Sequence, residues 1–173
     1  GAAAMGSAEG KRAIAILGDG GFWHNGLVSS VGNSVFNKSD GVQIIIDNGY
    51  SAATGGQDVM SSEADNRQRA TRNTIERAVK GVGVGWIRTI ARTYDVARMR
   101  DTLKEALLTA ARGPKVIVAR SECMLNRQRR ERPLLQNRIK AGLRTVQERF
   151  GVDHDTCTGD HSCIRLSGCP SLT

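Results

Sequence analysis

The chain has 173 residues, enough for one domain with a proper core and a small appendage but too few for two full domains. A formal net charge of +8 admits a polyanionic partner, yet the basic residues of 67–77 and 127–144 are interleaved with Asn, Gln and Glu as on a solvated or partner-facing surface, and 4% aromatics are too few to stack single-stranded bases. No run approaches the roughly 20 apolar residues of a membrane span and no basic-then-apolar leader is visible, so the sequence argues against membrane and nucleic acid and for the cytoplasm.

Residues 1–7 are small and carry an internal Met5, which reads as an expression scar. The first element is an apolar run, Ala13 to Leu17, that stops at glycines; it predicts a strand buried on both faces of a parallel sheet. After the turn Gly18-Asp19-Gly20-Gly21, the stretch His24 to Lys38 places Leu27, Val28, Val31, Val35 and Phe36 at helical spacing. Val42 to Ile46 follows the turn signal Ser39-Asp40-Gly41 and reads as the next strand. Residues 51–65 have no period and form a long loop, and Arg67 to Lys80 reads as a helix that Gly81 to Gly85 breaks. Trp86 to Ala91 is a third strand. A helix then starts at Asp95, buries Val96, Met99, Leu103, Ala106, Leu107 and Ala110, and stops at Gly113-Pro114. Val116 to Ala119 is a fourth strand. Pro133 opens a last helix with Leu135, Ile139, Leu143, Val146 and Phe150 inward. This alternation predicts an α/β fold, a parallel sheet flanked by helices, with ligands outside the carboxyl ends of the strands.

That edge is where the informative residues fall. A glycine run between a strand and a helix lets backbone N–H groups approach a phosphate, although Gly-Asp-Gly alone is also an ordinary tight turn with a capping Asp. The right-handed crossover rule puts the carboxyl ends of the first two strands on one edge, so Asp19 and Asn48 can meet. A carboxylate, an amide oxygen, a backbone carbonyl and two diphosphate oxygens nearly fill the octahedral shell of magnesium.

Gly18-Asp19-Gly20, a spacer and Asp47-Asn48 resemble the thiamine-diphosphate motif, which ends in Asn-Asn where this chain has Asp47-Asn48. Gly18 to Gly26 and Asp47 to Gln57 are similar to segments of the ferredoxin-dependent 2-oxoacid oxidoreductases, within them the indolepyruvate ferredoxin oxidoreductases, and the likeness runs on through Val116 to Cys123 and the terminal Cys169-Pro170. The resemblance implies a thiamine-diphosphate-binding domain over 8–150. In it Asp19, the Asn48 side chain and the Tyr50 carbonyl hold magnesium. Gly18, Gly20 and Gly21 face the diphosphate, and Thr54, Gly55 and Gln57 close over the cofactor. His24 falls where the family has a histidine near the substrate; a helix-start histidine bonded to the backbone is the competing reading.

By the same resemblance the activity is oxidative decarboxylation of aryl 2-oxo acids such as indolepyruvate to acyl-coenzyme A, with electrons passed to ferredoxin. The pyrimidine-binding half of the site belongs to another domain or subunit, the full enzyme is dimeric, and the isolated chain is inactive. The tail, 151–173, resembles a truncated and degenerate ferredoxin motif, with Asp160 where the second cysteine belongs. Three readings stay open for it: one [4Fe-4S] cluster on Cys157, Cys163, Cys169 and either Cys123 or Asp160, zinc on the same residues, or no metal. Two rival functions remain at this stage: the cofactor domain of another thiamine-diphosphate enzyme such as a decarboxylase, and a non-catalytic basic zinc module that binds a partner.

Overall fold

The computed structural model describes residues 11–62, 68, 71–146 and 151–166, without the side chains of Cys163 and Ile164. The chain divides into two compact units, Gly1–Pro133 and Leu134–Thr173. The first unit contains four strands, β1 (Ile14–Gly18), β2 (Val42–Asp47), β3 (Trp86–Ile90) and β4 (Lys115–Arg120), in the order β1-β2-β4-β3. All three pairings are parallel, with Gly18 opposite Ile46 and Asp47 opposite Arg120.

Helix α1 follows β1 directly, in three consecutive stretches: Asp19–Gly21, a π-wound Phe22–Gly32 and Asn33–Phe36. Helix α2 is Ile75–Gly81, α3 is Val96–Leu108, and α4 is Met124–Lys140, whose residues from Leu134 onward belong to the second unit. The chain steps one way along the sheet from β1 to β2 to β3 and back from β3 to β4. Right-handed crossovers therefore put α1 and α2 on one face and α3 on the other. The first face buries Phe22, Val31, Ile45, Ile75, Val79, Val84, Val116 and Val118, and the second packs Met99, Leu103, Ala106 and Leu107 against Val42, Ile44, Trp86, Ile90 and Ile117. Thr74 caps α2 by accepting from the Arg77 N–H at 3.3 Å, and Asp95 caps α3 by accepting from the Arg98 N–H at 2.9 Å.

Several expectations need correction. β1 is an edge strand rather than one buried on both faces, and among the described residues no helix covers its Ile14 and Ile16, the latter 66% exposed. There is no separate glycine turn before α1, since Asp19–Gly21 is already helical. Within α1 the inward positions Phe22, Gly26, Val31 and Val35 are four, five and four residues apart, a wider winding than the 3.6 residues per turn of an α-helix. Val28 and Phe36, expected inside, consequently face outward at 68% and 83% exposure.

The helix expected over 67–80 begins only at Ile75; residues 71–74 are irregular, and 67, 69 and 70 lie outside the described residues. Val96 and Ala110 are exposed and α3 stops at Leu108, before Gly113-Pro114. The cause is long-range: the Arg12 guanidinium donates to the carbonyls of Ala106 (3.1 Å), Leu107 (2.7 Å) and Thr109 (2.7 Å), satisfying the last turn with a cation at its negative end. The last helix starts at Met124 rather than at Pro133, which lies inside it. Ile139, Leu143 and Val146 are exposed and Phe150 lies outside the described residues. The charged run Leu125 to Arg132 carries no apolar stripe, so periodicity could not announce it. In the second unit a short helix, α5, covers Ser162–Arg165.

Candidate functional site

The carboxyl ends of β1 and β2 bring Asp19 and Asn48 together. Asp19 is 2% exposed, and its Oδ2 accepts the backbone N–H groups of Asn48 at 3.0 Å and Tyr50 at 3.2 Å, while Oδ1 accepts from Gly20 at 2.8 Å. The Asn48 Oδ1 accepts from the same Tyr50 N–H at 3.0 Å, so a carboxylate oxygen and an amide oxygen converge on one point of the loop. Burial pushes the Asp19 carboxyl up. Hydrogen bonds from the backbone of Gly20, Gly49 and Tyr50 oppose that shift, and the nearby negative charge of Asp47 adds to it. A cation bound at the remaining lone pairs of these oxygens would offset both unfavourable contributions. The Tyr50 carbonyl accepts no hydrogen bond among the described residues and remains available. These donors are hard oxygens, the type magnesium takes, and the arrangement therefore fits a magnesium-bridged diphosphate.

The glycines divide by role. The Cβ direction of Gly18 and Gly21 meets nothing within 4 Å, so their backbone faces open space, as an approaching phosphate requires. Gly20 is packed instead: a Cβ there would sit 2.7 Å from the Ser51 Oγ, and its N–H is already taken by Asp19. Residues 51–57 form a closed turn in which the Ser51 N–H donates to the Gln57 carbonyl at 2.9 Å, and the Thr54 hydroxyl donates to the Gln57 Oε1 at 2.6 Å. Thr54, Gly55 and Gln57 are exposed on that turn. The His24 side chain is exposed near the start of α1 and makes no hydrogen bond with another described residue.

Residues that sequence reasoning passed over hold the loop. Gly49, at φ +68°, reverses the chain so that the N–H groups on both sides of it reach Asp19; the Asn48-Gly49 dipeptide was the available signal. Ser62 donates to the Gly49 carbonyl at 2.5 Å and accepts from the Val59 N–H at 2.8 Å. Tyr50 receives a hydrogen bond on its hydroxyl from Arg129 at 3.1 Å, and a Cβ on Gly56 would clash with that hydroxyl.

Cys123 is buried just before α4, Cys157 is exposed, the Cys163 side chain and all of Cys169 lie outside the described residues, and Asp160 accepts from the N–H and hydroxyl of Ser162 at 3.1 and 2.5 Å. Among the described residues no group of three or more His, Cys, Asp or Glu side chains is arranged to hold a metal ion.

Comparison with known proteins gives the context. The family described as "Thiamine pyrophosphate enzyme, C-terminal TPP binding domain" matches residues 1–119. Proteins named indolepyruvate oxidoreductase subunit IorA are similar along most of the chain. That of Pyrococcus abyssi is 31% identical over 95% of this chain and 24% of its own length. That of Thermococcus kodakarensis is 29% identical over 92% and 23%, and that of Pyrococcus horikoshii 27% identical over 95% and 23%. The chain thus spans about a quarter of the length of these relatives.

Proposed function

The chain belongs to the thiamine pyrophosphate enzyme family as a C-terminal TPP-binding domain, and from that premise we propose that residues 8–150 bind the diphosphate end of thiamine diphosphate through magnesium, within an oxidoreductase acting on aryl 2-oxo acids of the indolepyruvate type. The observation that carries this reading is the convergence of the buried Asp19 carboxylate and the Asn48 amide oxygen at the carboxyl ends of two parallel strands. When bound, thiamine diphosphate supplies the electron sink for decarboxylation of a 2-oxo acid.

The chain's own residues bind and orient. Asp19, Asn48 and the Tyr50 carbonyl hold the ion, Gly18 and Gly21 leave room for phosphate oxygens, and the start of α1 directs its positive end at them. The turn carrying Thr54, Gly55 and Gln57 covers the cofactor and excludes water. His24, exposed near the start of α1, moves a proton at the substrate. The pyrimidine end and the rest of the substrate pocket come from another domain or subunit, and the full enzyme is dimeric. Coenzyme A takes the acyl group and ferredoxin the electrons. In the tail, 151–173, Cys157, Cys163 and Cys169 with either Cys123 or Asp160 would hold one [4Fe-4S] cluster. Among the described residues no helix is long and apolar enough to cross a membrane. A cytoplasmic location is part of the same proposal.

Calorimetric titration of thiamine diphosphate in the presence of magnesium tests the proposal. Wild type is expected to bind saturably and Asp19→Ala to lose at least about tenfold in affinity. Equal binding by the two proteins overturns it.

A further inference from the structure

Beneath the loop that carries Asn48 and Tyr50 runs a continuous line of polar contacts from one side of the sheet to the other. Asp47, the last residue of β2, is 6% exposed and lies opposite Arg120, the last residue of β4. The Arg120 Nε donates to Asp47 Oδ2 at 3.1 Å, while its Nη2 donates to both carboxylate oxygens of Glu76 on α2, at 2.9 and 3.1 Å. Glu76 is held in turn by the Thr89 hydroxyl on β3 at 2.8 Å. The other oxygen of Asp47 accepts from the Ser61 hydroxyl at 3.4 Å, and Ser61 accepts from the Trp23 indole N–H at 2.9 Å. The line thus joins α2, β4, β2, the loop after the site and the first turn of α1, where His24 is the neighbour of Trp23.

Resting on the diphosphate-site reading above, we propose that Asp47 and Arg120 are a positioning pair for that site: Arg120 fixes the Asp47 carboxylate, and Asp47 through Ser61 pins the covering loop and the start of α1 in the geometry that accepts the magnesium diphosphate. An acid fits position 47 because its two oxygens accept from two elements at once, whereas an amide presents a single acceptor oxygen. Arginine fits position 120 because its planar fork reaches two carboxylates in fixed directions, which a lysine ammonium cannot do.

The test combines affinity for magnesium thiamine diphosphate, by calorimetry, with hydrogen–deuterium exchange of residues 51–62 in the cofactor-free chain. Asp47→Asn and Arg120→Gln are each expected to weaken affinity about tenfold and to speed exchange in that segment. The double variant should lose no more than the worse single one, because both cut the same line. Ser61→Ala cuts it without stranding a charge and should weaken affinity about threefold, with Ser61→Thr restoring it. Wild-type affinity in Arg120→Gln, or additive losses in the double variant, overturns the proposal. If Arg120→Gln does not fold, Ser61→Ala decides, and unchanged affinity and exchange there overturn it equally. Asp19→Ala, run alongside, separates the two claims. Its failure to weaken binding sinks the site itself, whereas loss in Asp19→Ala with none in Arg120→Gln or Ser61→Ala sinks only the positioning pair.

Discussion

At the scale of single residues the charges fall into two groups with opposite tasks. Asp19 is buried with no cation among the described residues beside its charge, the condition of a residue that recruits one. Asp40 and Lys115, at the amino ends of β2 and β4, are compensated within the chain. Lys115 is fully buried and its ammonium bonds to Asp40, which Arg12 also contacts at 3.0 Å. Burial acts to raise the Asp40 carboxyl, but hydrogen bonds and charge from Lys115 and Arg12 outweigh it and hold it below the usual carboxylate value. A carboxyl depressed in the folded state contributes stability above its unfolded value of about 3.8 and loses it as pH falls through the lower folded value. Asp40→Asn is therefore expected to destabilise the chain by about 1–2 kcal/mol near neutral pH, because it strands the Lys115 charge although the Asp40 side of the pair is half exposed. In denaturant titrations the gap to wild type should close in acid below that point; a gap independent of pH contradicts the pairing.

At the scale of elements, α1 is the informative case. Its winding makes Val31 an inward residue at 0% exposure and Val28 an outward one. Val31→Ala should cost about 2 kcal/mol and Val28→Ala less than about 0.5 kcal/mol in equilibrium unfolding, and equal costs would contradict the wide winding. The strands were legible in the sequence because β-rich runs such as Val42 to Ile46 are bounded by turn residues. Asp19 and Asn48 were legible because each sits just past such a strand. The register of α1 was not, since the apolar positions of residues 22–36 also satisfy an ordinary helical period. Neither was the stop of α3, set by Arg12 from the far end of the chain, nor the line through Asp47, Arg120 and Ser61. That line exists only once β2 and β4 are neighbours and Asp47 is in register with Arg120.

At the scale of the whole first unit, the Arg12, Asp40 and Lys115 cluster sits at the amino edge of the sheet and the Asp19, Asn48 and Tyr50 site at the carboxyl edge. On the proposed reading, stability chemistry and ligand chemistry are thus separated by the length of the strands. Substitutions at the first edge should move unfolding and leave binding intact, whereas those at Asp19 should abolish binding. The account's central claim is the place of the ion, and the most direct measurement is an anomalous difference map from crystals grown with manganese and thiamine diphosphate. The predicted result is one peak about 2.1–2.3 Å from side-chain oxygens of both Asp19 and Asn48. A cofactor-bound crystal with no peak there, or with its metal peak at the tail cysteines alone, would contradict it.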